Sequence, residues 1–314
     1  MKIGIVGAGQ VGAASAYACI LHGIGSEIVL VDRDPALARG QAADLAHAAP
    51  VAHGASVRAG GMDALAGAGI VMIAAGVPQK DASETRLALL RRNAEVFAEV
   101  IPAILREAPD AVLLIASNPV DVMTDLATRI AAASGVPASR VIGSGTILDT
   151  ARFRALLANH LGVYSQSIHA HVLGEHGDSE VLAWSTADVG GLAVAEAATQ
   201  LGRPLDAAAR AEIDEGVRRA AYRIIADKGA TWFGIGAGMA RIARAIADDQ
   251  RAVLTCCIRR DAVAGIGPVT VSLPHLIGQG GVIDTLTPTL APEETTALAR
   301  SAGIVAAAAA AIAV

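Results

Sequence analysis

Lys2-Ile3-Gly4-Ile5-Val6-Gly7-Ala8-Gly9-Gln10-Val11-Gly12 decides the fold of this chain. Residues 2–6 are short and apolar, as a buried strand is. Three glycines follow at G-x-G-x-x-G spacing, directly ahead of a helical pattern over Val11–His22. Gly7 permits a tight turn, Gly9 lets a pyrophosphate reach the backbone, and Gly12 allows close helix–strand packing. The start of the helix, at Val11, offers free N–H groups to phosphates. By itself such a run is a simple strand–helix turn. Asp32 makes it a dinucleotide site: it ends the second apolar run, 20 residues after Gly12, where a carboxylate binds ribose hydroxyls. That carboxylate repels a 2′-phosphate and so favours NAD over NADP, although Arg33 next to it pulls the other way.

Outward from this turn, short apolar runs alternate with longer helical patterns through about residue 145. Strands are expected at Lys2–Val6, Glu27–Val31, Ile70–Ala74, Val112–Ser117 and Val141–Ile142, with a long helix at Leu87–Glu107. Past Asp149 the pattern changes. A helix over Asp149–Leu161 leads to one strand over Ser167–Leu173, then a long helix from Ala207 to Asp227 and another from Gly236 to Asp248. Ala252–Ile258 and Val269–Pro274 read as an antiparallel hairpin, and a last helix starts near Pro292-Glu293-Glu294. The fold class is therefore α/β: a Rossmann-type doubly wound parallel sheet over 1–145, followed by a mixed α+β substrate domain over 146–314.

Composition bounds the function. The chain has 314 residues, 53% apolar and 18% charged, enough for a large folded core. A net charge of −5 with no basic block argues against nucleic acid as a partner. Cys19, Cys256 and Cys257 have neither metal-ligand spacing nor an even count, so neither a metal nor a disulfide framework is expected. The chain enters a strand at Lys2, and the Ala-rich run 306–314 is too short to span a bilayer. A cytoplasmic protein without a membrane partner is expected.

The chemistry concentrates in Val172-Leu173-Gly174-Glu175-His176-Gly177-Asp178-Ser179. Glycines flank a histidine, the side chain whose ordinary pKa of ~6.5 suits proton exchange near neutrality. In Leu148-Asp149-Thr150-Ala151-Arg152-Phe153-Arg154, Asp149 and Arg152 are three apart and share a helix face. Arg152 suits a substrate carboxylate, and Asp149 suits the orienting of a histidine. Arg154 is about 200° round the helix from Arg152, so it faces elsewhere and is free for a second anion. Asn118, in Ser117-Asn118-Pro119-Val120-Asp121, ends a strand at the carboxyl edge where such sheets hold ligands. The polar loop Gln79-Lys80-Asp81-Ala82-Ser83-Glu84-Thr85-Arg86 has the character of a lid that carries Arg86 inward.

Together the glycine turn, Ser-Asn-Pro-Val-Asp, Gly-Ser-Gly-Thr-x-Leu-Asp-Thr-Ala-Arg-Phe-Arg and Gly-Glu-His-Gly-Asp-Ser resemble the lactate/malate dehydrogenase family, within it the bacterial L-lactate dehydrogenases, end to end. The resemblance implies NAD-dependent interconversion of pyruvate and L-lactate. It makes His176 the acid/base, Asp149 its partner, Arg152 the carboxylate clamp and Arg86 the group that polarises the carbonyl. It places Asn118 at the reacting oxygen, Ser144 at the nicotinamide amide, Thr231 in the substrate side-chain pocket, and Gly7, Gly9, Val11, Gly12 and Asp32 on the cofactor. It also implies a homotetramer, with Arg154 and His169 binding fructose 1,6-bisphosphate. Malate dehydrogenase, or an enzyme of bulkier 2-hydroxy acids, is the alternative. Malate enzymes carry arginine where Gln79 stands; neutral Gln79 suits pyruvate. One departure stands out: Asp81-Ala82-Ser83 replaces the family's Pro-Gly and is one residue longer.

Overall fold

The computed structural model describes residues 1–77 and 86–312, with the side chains of 86 and 87 left aside. Six parallel strands open the chain: β1 (Lys2–Val6), β2 (Glu27–Val31), β3 (Ser56–Ala59), β4 (Ile70–Ile73), β5 (Val112–Ile115) and β6 (Val141–Gly143). Between them run α1 (Gln10–Leu21), α2 (Pro35–Ala48), α3 (Arg86–Glu107) and α4 (Val120–Ala132). The strands lie in the order β3-β2-β1-β4-β5-β6. The order reverses between β1 and β4, the switch point at whose carboxyl edge such sheets bind ligands.

Period-two alternation along each strand builds two cores. In β4, Val71 and Ile73 face one side with Leu113 and Ile115 of β5, under α3 and α4. Ile70 and Met72 face the other with Val112 and Leu114, under α1 and α2. All four residues of β4 and of β5 are buried, which explains their unbroken apolar runs. The start of α2 is fixed locally: Asp34 accepts the N–H groups of Ala36 and Leu37, and Pro35 occupies the first turn.

The second half comprises α5 (Ile147–Leu161), β7 (Ile168–His169), β8 (Val172–Leu173), β9 (Val181–Leu182), β10 (Asp188–Val189), β11 (Leu192–Ala193), α6 (Val194–Gln200), α7 (Ala207–Arg218), α8 (Ala220–Lys228), α9 (Phe233–Ala247), β12 (Ala252–Arg260), β13 (Val269–Gly278), β14 (Gly281–Thr285) and α10 (Pro292–Ala310). The β12–β13 hairpin is antiparallel as expected, and β12 pairs with β6 through Cys257 and Gly143. The two halves thus share one sheet. α9 packs on α1, and α10 joins α3 and α4 on the opposite face.

Three expectations change. The single strand over Ser167–Leu173 is two strands in two small sheets: His169 pairs with Asp188 of β10, while Val172 and Leu173 pair with β9. The long helix over Ala207–Asp227 is two helices, α7 and α8, that meet at Arg219 (φ −94°, ψ −1°). Arg218, just before the junction, is drawn back to Asp214 and to the carbonyls of Asp178 and Glu180. Strands β3 and β14 were not expected. Both are edge strands with half-exposed, mixed faces that carry little apolar signal.

Candidate active site

The glycine turn is shaped by what glycine leaves out. Gly7 has φ +100°, and a Cβ there would lie 2.6 Å from the Ala75 amide nitrogen. A Cβ on Gly12 would run into the Gly7 carbonyl oxygen. Around Gly9, by contrast, no atom lies within 4 Å of the position a Cβ would take, so the cradle is open. α1 starts there with no side chain capping its N–H groups, and Val11 in its first turn is half-buried. Asp32 Oδ2 accepts the Ala8 N–H at 2.7 Å and Oδ1 the Asp34 N–H at 2.9 Å. The carboxylate pins the turn and keeps lone pairs for a ribose. An open cradle, an uncapped helix start and a carboxylate at the second strand end fit a dinucleotide.

The carboxyl edge of β5 and β6 adjoins this turn. Ser117 Oγ donates to the Ala75 carbonyl at 2.5 Å, and the Ser144 N–H donates to the Ile115 carbonyl at 2.9 Å. Asn118 stands exposed at the end of β5, and Ser144 is buried at the end of β6.

The turn that carries His176 is held by five elements. Thr150 of α5 accepts the Val172 N–H at 2.9 Å and meets Thr255 of β12 at 2.8 Å. Gly174 (φ +85°) exchanges backbone hydrogen bonds with Ser272 of β13, and Ser301 of α10 accepts the Glu175 N–H at 2.8 Å. The His176 N–H donates to Asp121 Oδ2 of α4 at 2.7 Å. These bonds fix the peptide before any side-chain contact orients the ring.

Asp149 is 2% exposed and serves two partners. Its Oδ2 lies 2.5 Å from His176 Nδ1, and its Oδ1 accepts from Arg152 Nη1 at 2.6 Å. The His176 side chain keeps 28% of its surface open, and Nε2, across the ring from Nδ1, points away from Asp149. Burial alone would push the imidazole down. The Asp149 charge and hydrogen bond, with Asp121 and Glu180 behind them, override burial and hold it up at about 9. In turn, burial pushes Asp149 up, and the imidazole and Arg152 outweigh it, so its carboxyl lies below the usual range. The pair is an imidazolium facing a carboxylate at neutral pH.

Two further carboxylates lie at the site, and sequence reasoning missed both. Asp121 is buried and pushed up to about 6, first by desolvation. Glu180 is buried and pushed up to about 8, first by desolvation and then by Asp149. Asp121 lay within the quoted Ser-Asn-Pro-Val-Asp run, three residues past Asn118, at a helix start where an acidic residue has an ordinary local reason. Glu180 carried no signal beyond its nearness to His176.

The remaining expected residues divide as follows. Gln79 and the Asp81-Ala82-Ser83 departure lie outside the described residues; so does the Arg86 side chain, although Arg86 opens α3. Thr231 is half-buried between α8 and α9 and is not bonded to the Asp149–His176 pair. Arg154 does face away from Arg152, but it is not free: its Nε donates to the Ala170 carbonyl at 2.9 Å, and Asp188 acts on its charge. His169 is exposed on β7. His171 links the two, pushed down to about 4 by burial and then by the Arg154 and His169 charges. Among the described residues no group of histidine, cysteine and carboxylate side chains is arranged to hold a metal, and the three cysteines are buried and unpaired.

Comparison with known proteins shows the family. The family model for the lactate/malate dehydrogenase NAD binding domain matches residues 1–143, and the one for the lactate/malate dehydrogenase alpha/beta C-terminal domain matches residues 146–311. The L-lactate dehydrogenase of Thermus aquaticus is 57% identical over 312 residues, 99% of each chain. That of Allorhizobium ampelinum is 57% identical over 302 residues, 96% of each chain. A solved structure of the minor L-lactate dehydrogenase from Enterococcus mundtii, in a ligands-bound form, superposes with a TM-score of 0.95 at 35% identity, over 100% of this chain and 98% of that one.

Proposed function

The chain belongs to the lactate/malate dehydrogenase family, and from that premise we propose how its residues work: as an NAD-dependent 2-hydroxy acid dehydrogenase that interconverts pyruvate and L-lactate. The observation that carries the assignment of roles is Asp149 holding His176 and Arg152 on its two oxygens.

NAD would be held by Gly7, Gly9, Val11, Gly12 and Asp32, with Asn118 and Ser144 at the nicotinamide end, and would supply or accept the hydride at C2 of the substrate. His176 gives its Nε2 proton to the carbonyl oxygen of pyruvate, and takes a proton from the hydroxyl of lactate in reverse. Asp149 keeps the proton on Nδ1 and fixes the ring, as the orienting acid of a triad does. Arg152 presents the rest of its planar fork to the substrate carboxylate. Arg86 acts on charge developing at the carbonyl oxygen, Asn118 contacts that oxygen, and Gln79 and Thr231 bound the side-chain pocket. Residues 1–145 serve the cofactor and lend Gln79, Arg86 and Asn118 to the substrate, and 146–314 form the substrate domain with His176, Asp149, Arg152 and Thr231.

The reading extends to a cytoplasmic homotetramer with Arg154 and His169 binding fructose 1,6-bisphosphate, and without nucleic acid or membrane partners. The net charge of −5 supports the absence of nucleic acid, and among the described residues no helix is long and apolar enough to cross a membrane. NADH oxidation with pyruvate against oxaloacetate tests the substrate. Pyruvate should be preferred, and preference for oxaloacetate would point to malate instead.

A further inference from the structure

Asp121 sits in the first turn of α4 and is 3% exposed. Its Oδ2 accepts the His176 backbone N–H at 2.7 Å, its Oδ1 is buried with no N–H or O–H donor, and the weakly donating Cys257 thiol lies against the carboxyl. A carboxylate buried with one backbone N–H and a weak thiol donor is an expensive choice. Asparagine would accept the same N–H without a charge, so the hydrogen bond alone does not account for the acid. The positive end of α4 compensates in part. Among the described residues, the positive charge that faces it is the His176 imidazolium.

We propose that Asp121 is a positioning residue of the catalytic histidine: it holds the peptide that carries His176 and supplies a second negative charge behind Asp149. Because Asn118 lies just before α4, the same helix start links the cofactor edge of the sheet to the catalytic turn. The proposal rests on His176 being the proton donor of the reading above. Burial pushes Asp121 up only to about 6, so its charge is present through the neutral range where that donor works.

The charged surroundings are specific. His176 meets Asp149, with its partner Arg152, from α5, Asp121 from α4, and Glu180 from its own turn, with Arg218 of α7 balancing Glu180. Asp121 meets His176 and Glu175 from the turn and the Cys257 thiol from β12, and burial pushes that thiol well up. Among the described residues, the cation that acts on Asp121 is the His176 ring.

The test compares wild type, Asp121→Asn and Asp121→Ala. NADH binding reports the fold and cofactor site, NMR of ring-labelled histidine reports the His176 midpoint without substrate, and the pH–rate profile reports turnover. Asp121→Asn should bind NADH as wild type does, while the His176 midpoint and the alkaline limb of pyruvate reduction both move down. A shift of about one unit is expected, the low end for one nearby opposite charge, because Asp121 meets the peptide rather than the ring. KM for pyruvate should hold. Asp121→Ala should also lose about tenfold or more in kcat, since the turn is no longer held. If Asp121→Ala fails to fold, Asp121→Asn decides alone. An unchanged midpoint and limb in Asp121→Asn would overturn the proposal. A wild type inactive on pyruvate would instead sink the functional reading, with the NMR midpoint still reporting the Asp121–His176 coupling.

Discussion

Asp149 Oδ2 lies 2.5 Å from His176 Nδ1, and the carboxylate that makes this contact is 2% exposed. A buried ion pair of this kind gains little for stability after desolvation. Its use lies in chemistry, because it fixes which ring nitrogen faces the substrate and raises the affinity of the ring for its proton. Arg152 on the other Asp149 oxygen stands beside the ring, as the proposed pairing of carboxylate clamp and proton donor requires.

The pH dependence follows with its sign. Pyruvate reduction needs protonated His176, held up at about 9. Its rate should hold through neutral pH and fall as pH rises through about 9, while lactate oxidation, which needs the neutral ring, should rise over the same interval. The linked stability has the same direction: it is fully present below the unfolded value of ~6.5 and is lost as pH rises through about 9. Initial rates in both directions and thermal unfolding against pH check this.

The glycine turn separates folding from cofactor binding. Gly12→Ala drives a methyl into the Gly7 carbonyl and should destabilise the fold by about 1–3 kcal/mol. Gly9→Ala places a methyl in open space with ordinary φ of −68°, so thermal unfolding should be unchanged. NADH binding should weaken by about tenfold, the equivalent of one lost hydrogen bond. Unfolding curves and NADH titration of both variants distinguish the two effects.

Much of this was readable in the chain because it is local. The glycine spacing with Asp32, the unbroken apolar runs of β4 and β5, and the three-residue step from Asp149 to Arg152 each report a fixed geometry. Asp121 and Glu180 were not readable as site residues. Asp121 meets His176 across 55 positions, and a helix-start aspartate looks the same with or without that contact. The split of residues 167–173 was hidden for a related reason: its apolar run suits one strand or two, and only the partners β9 and β10 decide.

Gln79 should set the choice of substrate. Gln79→Arg offers a second carboxylate a bidentate partner and leaves an unpaired charge beside the methyl of pyruvate. Preference should move toward oxaloacetate by at least about tenfold in kcat/KM. If Lys80→Arg produces the shift and Gln79→Arg does not, the longer Asp81-Ala82-Ser83 run has displaced the register.

Fructose 1,6-bisphosphate should lower the apparent KM for pyruvate at low enzyme concentration, by about 5- to 150-fold for a coupling of ordinary size. Arg154→Gln should abolish the effect. The Ala170 carbonyl and Asp188 already engage Arg154, so the bisphosphate must compete with them. Superimposable wild-type saturation curves with and without the effector would end this idea.

The central claim is that His176 donates the proton in pyruvate reduction. The most direct measurement is single-turnover and steady-state NADH oxidation with pyruvate in His176→Asn, beside NADH binding to the same protein. Asparagine preserves size and polarity but has no titrating proton. The account predicts NADH binding near wild type and a loss of about 10²- to 10⁴-fold in turnover, the range general acid catalysis supplies. Turnover equal to wild type in a protein that binds NADH normally would contradict it.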